Sequence, residues 1–139
     1  MNTNIEQVVL KNILSNEKYM RKVLPFIKPD YFEGIYKLLF KEAGKFVGKY
    51  NKLPNAEAFK IEIDNSDSYN EEQYRHAVEI IPNLFEKEDV NETWLYENTE
   101  KWCQDRALYN AVMESIQIID GKHNTLTKNA LPEILTKAL

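Results

Sequence analysis

Apolar residues recur along this chain at three- and four-residue spacing between polar breaks, a period that predicts helices almost from end to end. Ile5, Val8, Val9 and the pair Ile13/Leu14 mark a first helix over about Ile5–Leu14, broken by Ser15-Asn16. Asn16 is placed to cap a second helix from Glu17 to about Leu24, with Tyr19, Met20, Val23 and Leu24 on its apolar face. Pro25 and Pro29 end that run and set up a turn. The clearest stripe follows: Phe32, Ile35, Tyr36, Leu39, Ala43, Phe46, Val47 and Tyr50 share one face of a third helix, which predicts that this face meets the core.

Asn51 to Pro54 stops the third helix, and Asn55 can cap a short fourth one with Phe59 and Ile63 inward. The stretch Asn65–Ser68 is a loop by composition. Asn70 followed by Gln73 has the spacing of a capping box and opens a fifth helix, with Tyr74, Val78, Ile81 and Phe85 on one face and Pro82 expected to kink or end it. A sixth helix is expected from Glu92 to Ile119, roughly 40 Å long at 1.5 Å per residue. Its stripe contains Trp94, Leu95, Trp102, Leu108, Tyr109, Val112, Met113, Ile116 and Ile119. Asp120-Gly121 should stop it, a polar linker runs from Lys122 to Lys128, and a last helix carries Pro132 in its first turn and Ile134, Leu135 and Leu139 on its apolar face. The pattern therefore predicts an all-α fold: a helical globule of about five helices over residues 1–90, then a long helical hairpin over residues 91–139. The last helix has no C-cap signal, so a longer protein is expected, continuing into a linker and a further domain.

Composition narrows the class. At 139 residues one domain with a single core is expected. The lone cysteine, Cys103, excludes an internal disulfide and a cysteine-based zinc site. The start MNTNIEQ has neither a basic nor an apolar leader region, and no apolar run approaches the ~20 residues of a membrane span, so no membrane association and a cytoplasmic location are expected. The net charge of −4 argues against general binding to a phosphate backbone, but it hides an asymmetry. Residues 1–60 carry a net +5, residues 61–105 a net −10 and residues 106–139 a net +1. Such a bipolar chain can attract a charged partner, or another copy of itself, better than its total suggests.

Catalytic chemistry is thin. His76 lies three residues before Glu79 and His123 lies in the linker; neither has a second His or Cys at metal-ligand spacing, so both read as surface histidines. Gly44-Lys45-Phe46-Val47-Gly48-Lys49 superficially resembles a phosphate loop, but only three residues separate the glycines and Tyr50 follows the lysine. The segment also falls within a helix, whose amides are already engaged. No catalytic residue, cofactor or metal is assigned to this chain.

What the sequence does offer is contact surface. Lys37, Lys41, Lys45 and Lys49 stand at strict i,i+4 spacing on the third helix: a basic ridge for an acidic partner or DNA phosphates, or simply a solvated face. No aromatics interleave, which argues against base stacking. Gly44 and Gly48 lie one turn apart off the core stripe, either as a notch for another helix or as tolerated glycines; Leu38 also lies off the stripe and points toward a contact surface. On the hairpin, Leu108, Tyr109, Val112, Met113, Ile116 and Ile119 with Ile134 and Leu135 would form an exposed apolar interface unless the first five helices cover them. Asp105 beside Arg106 within that stripe admits a buried or interfacial ion pair.

The order of elements is similar to a known family. Glu6-Gln7-Val8-Val9-Leu10, a short helix, Pro29-Asp30-Tyr31-Phe32 leading into Leu39-Phe40, and Leu53-Pro54 before a short helix resemble the N-terminal domain of DnaB-type replicative helicases. Glu100-Lys101-Trp102-Cys103-Gln104-Asp105-Arg106-Ala107-Leu108 looks like the start of that family's helical hairpin, and the flavour is closest to the T-even-type phage members. Tyr36, where bacterial members often have His, and the acidic block from Ile61 to Asp105 depart from the pattern. The resemblance implies hairpins paired into dimers, three dimers building a collar on a hexameric ring, and docking of primase and helicase loader on that collar. DNA contact would be weak or indirect. It also implies an ATP- and Mg-dependent motor beyond Leu139, in a host cytoplasm if the source is a phage. The competing readings are a stand-alone or primase-attached helicase-binding domain and, from another class, a small metal- or nucleotide-dependent enzyme.

Overall fold

The computed structural model describes residues 3–123 and 125–139. They form seven α-helices, three short 3-10 turns and no strand. The helices are α1 (Thr3–Ser15), α2 (Glu17–Val23), α3 (Gly34–Tyr50), α4 (Ala56–Asp64), α5 (Glu71–Leu84), α6 (Glu92–Ile119) and α7 (Leu131–Ala138). They fall into two compact units, Met1–Val90 and Asn91–Leu139. None of the helices is long and apolar enough to cross a membrane.

In the first unit, local sequence sets each helix start. Asn16 accepts a hydrogen bond from the Tyr19 amide at 3.1 Å, Asn55 from the Ala58 amide at 2.8 Å, and Asn70 with Gln73 forms a complete capping box. Each side chain thereby satisfies an amide that the helix leaves without a partner. Helix α3 ends at Asn51, in the left-handed region with φ 56°, where the Arg21 guanidinium donates to the Asn51 carbonyl at 3.0 Å.

The core gathers on α1, which packs against α2, α3 and α5. Val9, Leu10 and Ile13 are fully buried with Tyr19, Leu39, Ala43, Phe59, Ala77 and Leu84. Phe32 stacks on Phe40 at 4.9 Å, and Phe59 meets Phe85 at 5.7 Å. Helix α1 is enclosed on more sides than the stripe Ile5, Val8, Val9, Ile13, Leu14 predicts, because Glu6, Lys11 and Asn12 are buried as well. Their polar ends are engaged: the Glu33 amide donates to the Glu6 carboxylate at 2.6 Å, Lys11 pairs with Glu88 at 3.0 Å, and the Asn12 amide donates to the Val8 carbonyl. Gln7 bonds Asn83 on α5.

Two predicted faces shift. The α3 stripe is buried at Phe32, Ile35, Leu39 and Ala43 and half-buried at Tyr36, but Phe46 and Val47 are only half-buried and Tyr50 is exposed, since the last two turns run past the core. On α5 the buried line is Ala77, Ile81 and Leu84, while Tyr74, Val78 and Phe85 are half-buried. Pro82 does not end α5, which continues to Leu84.

In the second unit, α6 starts at Asn91, whose side chain accepts from the Trp94 amide at 2.9 Å. It stops at Gly121, where φ is +70°, with the Lys122 amide reaching the Gln117 carbonyl and the Gly121 amide the Ile118 carbonyl. Only glycine takes that left-handed position without steric cost. In the turn that follows, His123 Nδ1 accepts from the amides of Thr125 and Leu126, which turns its Nε2 toward Glu114 at 3.8 Å. Helix α7 then packs back on α6.

Candidate protein–protein interface

The long helix α6 changes its buried side partway along. Over its first half the buried residues are Leu95, Thr99, Trp102 and Arg106; over its second half they are Ala111, Ser115 and Ile118. The five-residue step from Arg106 to Ala111 moves the buried side roughly 140° round the helix, taking 3.6 residues per turn. Small side chains at Ala111 and Ser115 suit a close helix crossing, and the Ser115 hydroxyl is satisfied by the Ala111 carbonyl at 2.7 Å. On α7 the half-buried residues are Leu131, Ile134 and Ala138.

The first-half stripe nevertheless keeps its apolar character on the side that the second half leaves open. Leu95, Thr99, Trp102, Arg106, Tyr109, Met113 and Ile116 follow one another at four- and three-residue steps, the seven-residue repeat of a helix–helix seam. The first four are buried; Tyr109, Met113 and Ile116 are exposed. Leu108, Val112 and Ile119 flank them, and the six side chains are 42% to 56% exposed. Leu135 on α7 is exposed too, whereas Ile134 is half-buried rather than part of the open face. Apolar clusters of this kind are a recurrent mark of protein–protein contact.

Arg106 closes the buried part of the seam. Its guanidinium lies over the Tyr109 ring at 4.7 Å and donates to Asn110 at 3.4 Å. Asp105 is exposed, so a buried ion pair between it and Arg106 does not form; adjacent helix residues point different ways. Trp94, counted in the sequence stripe, is 45% exposed, while Thr99, which periodicity in apolar residues alone could not flag, sits inside the seam with its hydroxyl bonded to the Leu95 carbonyl. Cys103 is half-buried on the same helix, and burial with the nearby Glu100 charge pushes its thiol up to about 11. That is the opposite of what a nucleophile needs.

The basic ridge on α3 is less uniform than its spacing. Lys37 is partly covered and pairs with Asp30 at 2.8 Å, which holds the Asp30 carboxyl below its usual range. Lys41, Lys45 and Lys49 are exposed, and Lys49 leans over the Tyr50 ring at 5.2 Å. Leu38 is half-buried, and its carbonyl accepts from the Tyr69 hydroxyl at 3.3 Å. A side chain added at Gly44 or Gly48 would meet no other atom of this chain within 4 Å, so neither glycine is required by packing here. Each costs up to about 1 kcal/mol relative to alanine inside a helix. Glu42, on the buried flank, accepts from Tyr69 at 3.4 Å, and its burial raises its carboxyl above the ordinary value.

Among the described residues no group of three or more His, Cys, Asp or Glu side chains could hold a metal ion. No protein-family model matches the chain. In sequence it is 30% identical to a DnaB-like replicative helicase of Enterobacteria phage T4 along 96% of its own length, and it spans 30% of that relative. The chain is all-α among the described residues, and its similarity to one part of a replicative helicase fits an N-terminal domain of the DnaB type.

Proposed function

We propose that the chain is a non-catalytic oligomerisation and docking domain of a hexameric replicative DNA helicase. In this reading the hairpins of two copies pair through the open half of the α6 seam, and three such dimers form a collar that docks primase and helicase loader. The ATP- and Mg-dependent motor resides in another part of the protein, DNA is touched weakly or indirectly, and the protein acts in the host cytoplasm. One observation carries the reading: the seven-residue seam of α6 continues past its buried half into the exposed Tyr109, Met113 and Ile116. A half-covered helix seam is completed by another helix, and a second copy supplies one with the same apolar face.

The docking role is tested by co-sedimentation of the chain with the primase of its own replication system. A complex whose formation tracks the chain's self-association supports a collar that must assemble before it docks. Absence of any complex with primase and with loader, while the chain still self-associates, contradicts docking and leaves an assembly module.

A further inference from the structure

Arg106 stands where the seam of α6 passes from buried to exposed. In the seven-residue repeat, Thr99, Arg106 and Met113 occupy one set of equivalent positions, and Leu95, Trp102, Tyr109 and Ile116 the other. Arg106 is the one charged residue among these seven. It is buried, while Tyr109, the next seam residue, is exposed. Burying a guanidinium carries a desolvation penalty that an apolar side chain of similar size avoids. The seam keeps that penalty at the border of its open half.

The guanidinium reaches toward that open half. It lies over the Tyr109 ring at 4.7 Å and donates to the Asn110 side chain at 3.4 Å. Residues three and four positions on are the ones that neighbour Arg106 on the helix surface. The exposed ring is thus held from one side by a cation that is itself held by an amide and by burial. An exposed tyrosine rotates about two side-chain torsions, and ordering them opposes any contact the ring makes. At Tyr109 part of that ordering is already present in the single chain.

From this arrangement we propose that Arg106 is a positioning residue for self-pairing: it presents the Tyr109 ring to a second copy as the first anchor of the contact. This inference rests on the pairing of hairpins proposed above and assigns the residue that orders its border. Large aromatic side chains ordered before contact are among the strongest contributors to interfaces. A second copy is the occupant because Tyr109 continues into Met113 and Ile116 along one repeat, the face by which the copies pair. Arg106 stays covered within its own chain, so it acts on the partner through the ring.

A double-mutant cycle on the whole chain tests this. Sedimentation velocity over a dilution series reads the dimer dissociation constant, and urea unfolding at a concentration where the chain is monomeric reads the fold. The proteins are the unmutated chain, Arg106→Met, Arg106→Lys, Tyr109→Leu, and Arg106→Met combined with Tyr109→Leu. The pair occurs twice in a two-fold contact, so Arg106→Met should weaken dimerisation about tenfold. Arg106→Lys keeps a cation beside the ring and should weaken it by no more than about threefold. In the Tyr109→Leu background, which keeps an apolar side chain but no ring, Arg106→Met should change the constant by less than about threefold. Equal weakening by Arg106→Met in both backgrounds overturns the inference, as does Arg106→Lys weakening dimerisation as much as Arg106→Met. So does a loss of urea stability with dimerisation unchanged, the mark of a purely structural arginine. Arg106→Gln takes the place of Arg106→Met if the latter does not fold; if neither folds, Arg106 serves the fold and the inference fails. An unmutated chain that dimerises while every variant pairs alike leaves the open seam standing without this role. An unmutated chain that remains monomeric removes the pairing and this inference with it.

Discussion

Replacing Val112 and Ile116 by aspartate is the sharpest perturbation of the α6 face. The two side chains are 43% and 46% exposed, so roughly half of each remains to be covered by a partner. Full burial of such a side chain stabilises by about 1.5–3 kcal/mol, so the uncovered half is worth about 1 kcal/mol. In a two-fold contact each position occurs twice, which gives about 4 kcal/mol for the pair of sites, or about a thousandfold in dissociation constant. Carboxylates forced into the contact would add a desolvation penalty. In the isolated chain the same changes fall on open surface and should alter stability by no more than about 1 kcal/mol, including the unfavourable charge at Ile116 near the helix C-terminus. Sedimentation velocity over a dilution series reads the association, and urea unfolding reads the fold. Val112→Asp/Ile116→Asp should be monomeric and folded where the unmutated chain is dimeric. A folded variant that still dimerises within tenfold of the original concentration would refute the assignment of this face.

Four further outcomes follow from the first unit and the hairpin. Asn70→Ala removes the side-chain half of the α5 capping box, the bond accepted from the Gln73 amide, and should cost about 1 kcal/mol in urea unfolding; no loss would mean that the Asn70 side chain contributes nothing to α5. Lys11 is buried against the more exposed Glu88, so Glu88→Gln should destabilise by about 1–3 kcal/mol by leaving a buried ammonium without its counter-charge, while Lys11→Met should be milder; the reverse order would contradict this. Burial raises the Glu42 carboxyl, so its favourable contribution is full below the ordinary value of 4.5 and is lost as pH rises through the raised one; Glu42→Gln should therefore stabilise the chain at pH 7, relative to the parent, more than at low pH, and a pH-independent difference would exclude that cause. The Cys103 thiol, raised from 9.0 to about 11, should react with a thiol reagent at neutral pH about a hundredfold more slowly than an unperturbed cysteine, and rapid labelling in the folded chain would contradict that environment.

Much of the fold was legible because it is written in local chemistry. Asn16, Asn55 and Asn70 announce three helix starts, and Gly121 announces the end of α6; each acts through one or two hydrogen bonds within a few residues, which spacing alone reveals. What spacing could not reveal is where along a helix the burial stops. Phe46 and Tyr50 continue the α3 stripe but lie beyond the core, and the α6 stripe passes from buried to exposed after Arg106. The seam itself was partly hidden because Thr99 and Arg106 occupy two of its positions and disguise the repeat as a broken apolar pattern. Glu6 and Lys11 lie off the apolar stripe of α1, yet they are buried, with partners supplied by Glu33 and Glu88 far along the chain. Tertiary pairing of that kind leaves no trace in a local window.

The central claim is that the open half of the α6 seam is made for a second copy of the chain. Sedimentation equilibrium of the unmutated protein from low- to high-micromolar concentration tests it most directly. The account predicts a mass that rises with concentration at least to the dimer; a protein that remains monomeric throughout that range contradicts it.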